Sequence, residues 1–154
     1  MLIITHAAVG AIVGQTTGSP LWAALGGFIS HFLIDMIPHG DSQMYHQYKQ
    51  GKDTRRAVAY VTVDAIASIL FVLFLFVMRD FIHPLNVSLG IAFGVLPDLL
   101  IGLFETGKIR WLAKFHGIHF YFHNFFTSRR RDFSFRNGFI LQLVLLALLQ
   151  VRVF

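Results

Sequence analysis

The sequence predicts an all-α, polytopic membrane helical bundle of about five transmembrane helices plus one interfacial or re-entrant His-rich helix. Three observations carry that prediction. Of 154 residues, 55% are hydrophobic and only 14% charged, whereas soluble domains carry roughly 25% charged residues. So small a body cannot hide that much apolar side chain from water. The apolar residues form long runs bounded by Gly, Pro and polar turns. The few polar residues within those runs recur at spacing four, which is one helix face. Disorder is excluded by the same composition, because 17 Phe cannot stay solvated. The length predicts a single membrane-embedded domain over 1–154.

Taken in order, residues 1–37 are nearly uncharged and are broken by Gln15-Thr16-Thr17-Gly18-Ser19-Pro20, which reads as the turn of a helical hairpin with arms of about 15–18 residues. The first basic residue is Lys49, so no basic n-region precedes the apolar start and a cleavable signal peptide is not expected. Residues 38–55 are polar. Ala57–Met78 is an apolar run between Arg56 and Arg79, about 33 Å long at 1.5 Å per residue and the clearest span. Residues 87–104 form a second clear run. Gly138–Val151 is a short third, completed if Arg136 and Arg152 snorkel outward, and it could pair with another copy of the chain. Between these lies 111–127, aromatic and His-rich.

Basic residues set the orientation. They gather at Lys49/Lys52/Arg55/Arg56, at Lys108/Arg110/Lys114 and at Arg129/Arg130/Arg131/Arg136. A crossing by 111–127 would put the last two clusters on opposite sides, against the positive-inside rule. With that segment lying in the interface, all three clusters are cytoplasmic, the N-terminus is cytoplasmic and the C-terminus exoplasmic, in an inner (plasma) membrane. The same clusters read as contacts to membrane lipids, including anionic phosphorylated lipid, and no nucleic-acid partner is expected.

Four apolar runs carry stripes at spacing four: His6, Gly10, Gly14; Ala23, Gly27, His31, Asp35; Tyr60, Asp64, Ser68; and Gly90, Gly94, Asp98, Gly102. Small residues mark faces where membrane helices approach closely, so the titratable residues beside them point inward. Each ionisable residue at membrane depth costs at least about 2.5–3.5 kcal/mol, which calls for a partner. By helical rise all of them sit near the cytoplasmic ends, beside His116, His119 and His123, with His39 and Asp41 at the rim. There is no Cys, so disulfides, zinc fingers, Cys nucleophiles and iron–sulfur clusters are excluded. Neutral imidazoles with carboxylates are ligands for Zn²⁺, Mn²⁺, Fe²⁺ or Mg²⁺, and the set has enough donors for two ions. His6, His31, Asp35, His39, Asp64, Asp98, His119 and His123 are the candidate ligands, and Asp41 or His116 the candidate general base or orienting group. No G-x-S-x-G elbow or P-loop occurs, and Glu105 is the only glutamate, which excludes a paired-Glu iron site.

Thr5-His6-Ala7-Ala8-Val9-Gly10, Ser30-His31-Phe32-Leu33-Ile34-Asp35-Met36-Ile37-Pro38-His39-Gly40-Asp41, Leu96-Pro97-Asp98 and the His119–Ser128 stretch with His123 resemble small bacterial inner-membrane metal-dependent hydrolases. Those are distantly similar to the zinc-dependent phospholipase C and S1/P1 nuclease group, helical proteins with two or three zinc ions. The resemblance implies metal roles for His6, His31, Asp35, Asp98 and His123, and further for His39 and Asp64. Where that family has Pro-Asp-x-Asp-His, this chain reads Pro97-Asp98-Leu99-Leu100-Ile101. The expected function is a membrane-bound phosphoesterase acting on a lipid or lipid-linked substrate at the cytoplasmic face. Two alternatives stay open: a divalent-cation or proton transporter with a buried Asp/His relay, and a nonenzymatic membrane scaffold.

Overall fold

A computed structural model describes residues 1–153, with side chains as far as Gln150. Among the described residues the chain is helical, without strands: α1 (Ile3–Thr16), α2 (Pro20–Asp35), α3 (Ser42–Lys49), α4 (Thr54–Met78), α5 (Pro84–Gly107), a 3₁₀ turn at Arg110–Leu112, α6 (Ala113–His123) and α7 (Phe135–Val153). The α1–α2 hairpin has arms of 14 and 16 residues. Pro20 and Pro84 occupy the first turns of α2 and α5, where a missing N–H costs no helical bond. The polar stretch 38–55, which carries no apolar periodicity, nevertheless contains α3. Residues 111–127 do not form one helix; α6 has 11 residues, about 17 Å of rise against a hydrocarbon core of about 30 Å.

Two helices, α4 with 25 residues and α5 with 24, are long and apolar enough to cross a membrane, while the apolar stretches of α1 and α7 are shorter. The side chain of Arg152, expected to snorkel, lies outside the described residues. The outward face of α4 is apolar, with Val63, Ile66, Leu70, Leu73 and Val77 each more than half exposed.

The centre of the bundle is the packing of α1 and α2 on α5 and on each other, with α7 and α4 flanking α1. Its closeness depends on glycine. A Cβ on Gly10 or on Gly27 would run into the carbonyl of Gly90, and one on Gly90 into the carbonyl of Gly10. Backbone therefore touches backbone at a point where ordinary side chains would hold the axes 8–10 Å apart. Farther along, Leu75 joins Ala7, Ala11, Val87 and Ile91 in one apolar cluster, with Phe71 and Val72 packed against it. Asn86 extends this seam by donating from Nδ2 to the Thr17 carbonyl at 2.8 Å. Gly90→Ala should destabilise by about 2 kcal/mol, because the new methyl meets rigid backbone. Gly18→Ala, with open space around it, should change nothing, and thermal unfolding of the two variants in detergent checks the contrast.

Candidate metal centre

Short side chains near that glycine contact converge on one volume. His6 lies one turn before Gly10, His31 one turn after Gly27, and Asp98 follows Pro97 two turns beyond Gly90. His6 Nε2 is 3.5 Å from Asp35 Oδ1 and 3.8 Å from Asp98 Oδ2. His31 Nε2 is 3.9 Å from Asp35 Oδ2 and 3.8 Å from Asp98 Oδ1. From α6, His119 Nε2 reaches within 3.5 Å of Asp35 Oδ2 and 4.0 Å of Asp98 Oδ1. In the loop after α2, His39 Nε2 is 3.0 Å from Asp41 Oδ2, and His123 Nε2 is 3.4 Å from Asp41 Oδ1. The ligand atoms form three groups, His6/His31/Asp98, His31/Asp35/His119 and Asp35/His39/His123, each within 4.8 Å. Neighbouring groups share His31 or Asp35, so the three form a continuous chain.

Proton assignments decide what such a cluster can hold. His31 Nδ1 lies 2.9 Å from the Gly94 carbonyl, and His39 Nδ1 lies 2.7 Å from that of Ile37. A carbonyl has no proton to give, so each ring carries its hydrogen on Nδ1 and, when neutral, turns the Nε2 lone pair toward the carboxylates. Lone pair then faces lone pair. His6 Nδ1 and Nε2, His31 Nε2, Asp35 Oδ2 and Asp98 Oδ2 are buried without a hydrogen bond, an arrangement buried polar atoms ordinarily avoid. Asp35 Oδ1 takes the N-terminal ammonium of Met1 at 2.5 Å, and a divalent cation among the remaining atoms would remove the repulsion between them. Bonds of about 2.0–2.2 Å from Zn²⁺ to nitrogen and oxygen put tetrahedral ligand atoms about 3.4 Å apart, near the 3.5–3.9 Å separations around Asp35. The donor set and its unsatisfied atoms therefore fit a metal ion, and these groups could hold one. The carbonyls on the far ring nitrogens fix tautomer and orientation, as carbonyl and carboxylate partners do around metal-binding His.

The groups on the α6 side divide by charge. Burial pushes the His119 imidazole down to about 3, which leaves it neutral and able to donate a lone pair. Burial pulls His123 the same way, but the Asp35 and Asp41 carboxylates outweigh it and hold its imidazole at about 9. Asp41 is opposed by burial and held well below the usual carboxylate range by His123 and His39. A cation bound to His123 must displace that proton.

Asp64 is turned to another use. Its oxygens accept the backbone N–H groups of Ile3 at 2.6 Å and Ile4 at 3.3 Å, so it caps the first turn of α1, and it belongs to none of the three ligand groups. His116 likewise sits in a separate polar cluster. Its Nε2 lies 3.1 Å from both the Tyr45 hydroxyl and Glu105 Oε1, Tyr45 donates to Glu105 at 2.8 Å, and Lys49 bridges to Glu105 at 3.0 Å. Burial and the Glu105 charge both raise the Tyr45 phenol above its ordinary value. Through these bonds α3 is tied to α5 and α6.

Two supporting residues escape sequence reasoning. Gln142, buried on α7, accepts the Leu2 N–H at 2.6 Å and donates to the His39 carbonyl at 3.3 Å; its signal was available as the lone amide early in an apolar run. Asp132 accepts the N–H groups of Gly40 at 3.0 Å and Ser42 at 3.3 Å. Gly40 has φ +84°, and a Cβ there would press on Ser134 backbone, so glycine lets the His39–Asp41 loop fold against the chain leading into α7. Nothing in local pattern links Asp132 to a loop so distant in sequence. No family model matches the chain, and comparison with curated proteins and with solved structures likewise gives no match.

Asp64→Ala should lower stability by about 1–3 kcal/mol, since two orphaned N–H groups lose their acceptor, while metal content stays at the wild-type level. Paired thermal unfolding and elemental analysis read both quantities, and a stoichiometric loss of metal would make Asp64 a ligand.

Proposed function

We propose that this chain is a membrane-bound, metal-dependent hydrolase acting on a phosphoester of a lipid or lipid-linked substrate at the cytoplasmic face of the inner membrane. The chain, 1–154, is read as five spans in one bundle, with α6 lying in the interface. The resemblance to small bacterial inner-membrane metal-dependent hydrolases supports this reading, as do the apolar outer face of α4 and the length of α4 and α5. The observation that carries it is that His31 Nε2 and Asp35 Oδ2 face each other 3.9 Å apart with neither hydrogen-bonded, beside further unsatisfied atoms of His6 and Asp98.

His6, His31, Asp35, Asp98, His119, His39 and His123 are the proposed ligands of one to three ions, with Zn²⁺ as the first choice and Mn²⁺ or Fe²⁺ as alternatives. A divalent ion here supplies Lewis-acid chemistry, lowering the pKa of water from 15.7 toward about 7 and polarising a phosphoryl oxygen. Asp41 is the general base or orienting carboxylate, placed between His39 and His123. Asp98, 21% exposed at its side chain, is where the cluster opens to a substrate. His116 is engaged by Tyr45 and Glu105 and takes no part in the proposed proton transfers. Lys49, Lys108 and Arg110, around a neighbouring cleft, offer positive charge to an anionic headgroup.

Elemental analysis of detergent-purified protein should find near-stoichiometric Zn, Mn or Fe. His31→Ala and Asp98→Asn should each weaken binding about 100-fold or more, since removing even outer-shell partners costs 10–100-fold. Protein that stays folded and never binds ions would remove the reading. Hydrolysis of bis(p-nitrophenyl) phosphate should stop on chelation and return with added Zn²⁺ or Mn²⁺; activity indifferent to chelator would assign the chemistry to other groups.

A further inference from the structure

A cavity of about 370 Å³ lies against the cluster, within the range that binds small ligands. Its floor includes Asp41, Asp98, His119 and His123, and its walls include Val58 and Val61 of α4 and Ile101 and Gly102 of α5. The wall residues come from the two helices long enough to cross a membrane, at the ends away from the apolar cluster of Leu75, Val87 and Ile91. Near Leu75 the same helices contribute to one apolar cluster, whereas α4 is bonded to the start of α1 through Asp64 and also packs on α3. Val58 is 54% and Val61 55% exposed, and a Cβ on Gly102 would meet nothing within 4 Å. Above the cavity, Met44, Tyr45 and Tyr48 of α3 form a roof, pinned to Glu105 by Tyr45 and Lys49.

A water-soluble ester needs neither apolar walls nor a side opening. Buried carboxylates and imidazoles at the floor, apolar walls on lipid-length helices, and Lys49, Lys108 and Arg110 beyond Glu105 match an amphiphile with an anionic phosphate head. We propose that the cleft between α4 and α5 is a lateral portal for a membrane lipid carrying a phosphate ester. One hydrocarbon chain lies between Val58/Val61 and Ile101/Gly102, and the phosphate is at Asp98 and His119. This rests on the metal-centre reading for the head and on the membrane reading for the tail.

The test uses the full chain in phosphatidylcholine vesicles with a phosphatidic acid bearing a diazirine in its acyl chain, and adducts are mapped by mass spectrometry. Adducts should concentrate in 57–64 and 101–106 and be lost in Gly102→Trp, which fills the cleft from a position free of protein contacts. They should persist in Gly117→Trp, which is equally unobstructed and lies outside the cleft. Val61→Trp gives a second plug if Gly102→Trp fails to fold. Labelling spread evenly over the outer faces of α4, α5 and α7 and indifferent to both plugs would overturn the portal. So would equal labelling of the cleft by a diazirine phosphatidylcholine, which would mark a bulk-lipid contact. Metal content measured on the same samples separates the two readings. Specific labelling of protein that never binds ions keeps the portal and removes the metal centre; unplugged protein with stoichiometric ions and no specific labelling does the reverse.

Discussion

Contact between the backbones of α1, α2 and α5 at Gly10, Gly27 and Gly90 is the constraint from which the remaining organisation follows. Helices normally separated by 8–10 Å are here drawn close enough for the Gly90 carbonyl to occupy the space of a missing Cβ on both neighbours. Asp and His have short side chains, and they meet across a helix crossing only when the axes are this close. His6 and His31 stand one turn, about 6 Å, from the contact and Asp98 two turns, about 12 Å. The antiparallel course of α1 against α2 and α5 brings all three to the same end. The glycines thus set the dimensions of the cluster as well as the packing of the bundle.

Closeness has an electrostatic consequence. Carbonyls of Gly94 and Ile37 take the Nδ1 protons of His31 and His39, so the opposite ring nitrogens face carboxylate oxygens as acceptors. A bundle selected for packing alone would satisfy such atoms with donors from Ser, Thr, Asn or backbone. Elsewhere the chain does this: Asp64 receives two N–H groups, Asp132 receives three, and Gln142 uses both ends of its amide. Unsatisfied atoms gather on His6, His31, Asp35, Asp98 and His119, with others on Thr5, His39, Asp41 and Ser42. Asp64 and Asp132 are bonded by N–H groups on both oxygens, whereas Asp35 Oδ1 takes the N-terminal ammonium of Met1 and Asp35 Oδ2 and Asp98 Oδ2 have no donor.

Around that cluster, α3 and α6 act as a cover. Neither is long, with 8 and 11 residues, and α6 sets Phe115 and Phe122 against Phe28 and Phe32 of α2. Both are held by polar and aromatic links, among them Tyr45 stacked on Phe120 at 4.4 Å between ring centroids and Glu105 joined to Tyr45, Lys49 and His116. Polar ties of this kind hold a cover in place while leaving apolar wall on the sides.

Much of the molecule was legible in the chain itself. Apolar runs bounded by the 15–20 turn and by charged residues outlined α1, α2, α4, α5 and α7, because hydrophobic length and turn chemistry are local properties. The spacing of four in His6-Gly10-Gly14, Gly27-His31-Asp35 and Gly90-Gly94-Asp98 placed the polar residues on the glycine faces, since helical periodicity alone dictates which residues share a side. Local pattern did not distinguish Asp64 from Asp35: both are buried aspartates on glycine- or serine-marked stripes, and only the position of the first turn of α1 decides that Asp64 becomes a cap. Nor did it show α3, the ties of Asp132 and Gln142, or the cleft between α4 and α5. Each of these depends on groups far apart in sequence being brought to hydrogen-bonding or van der Waals distance, and such distances are set by how the helices cross.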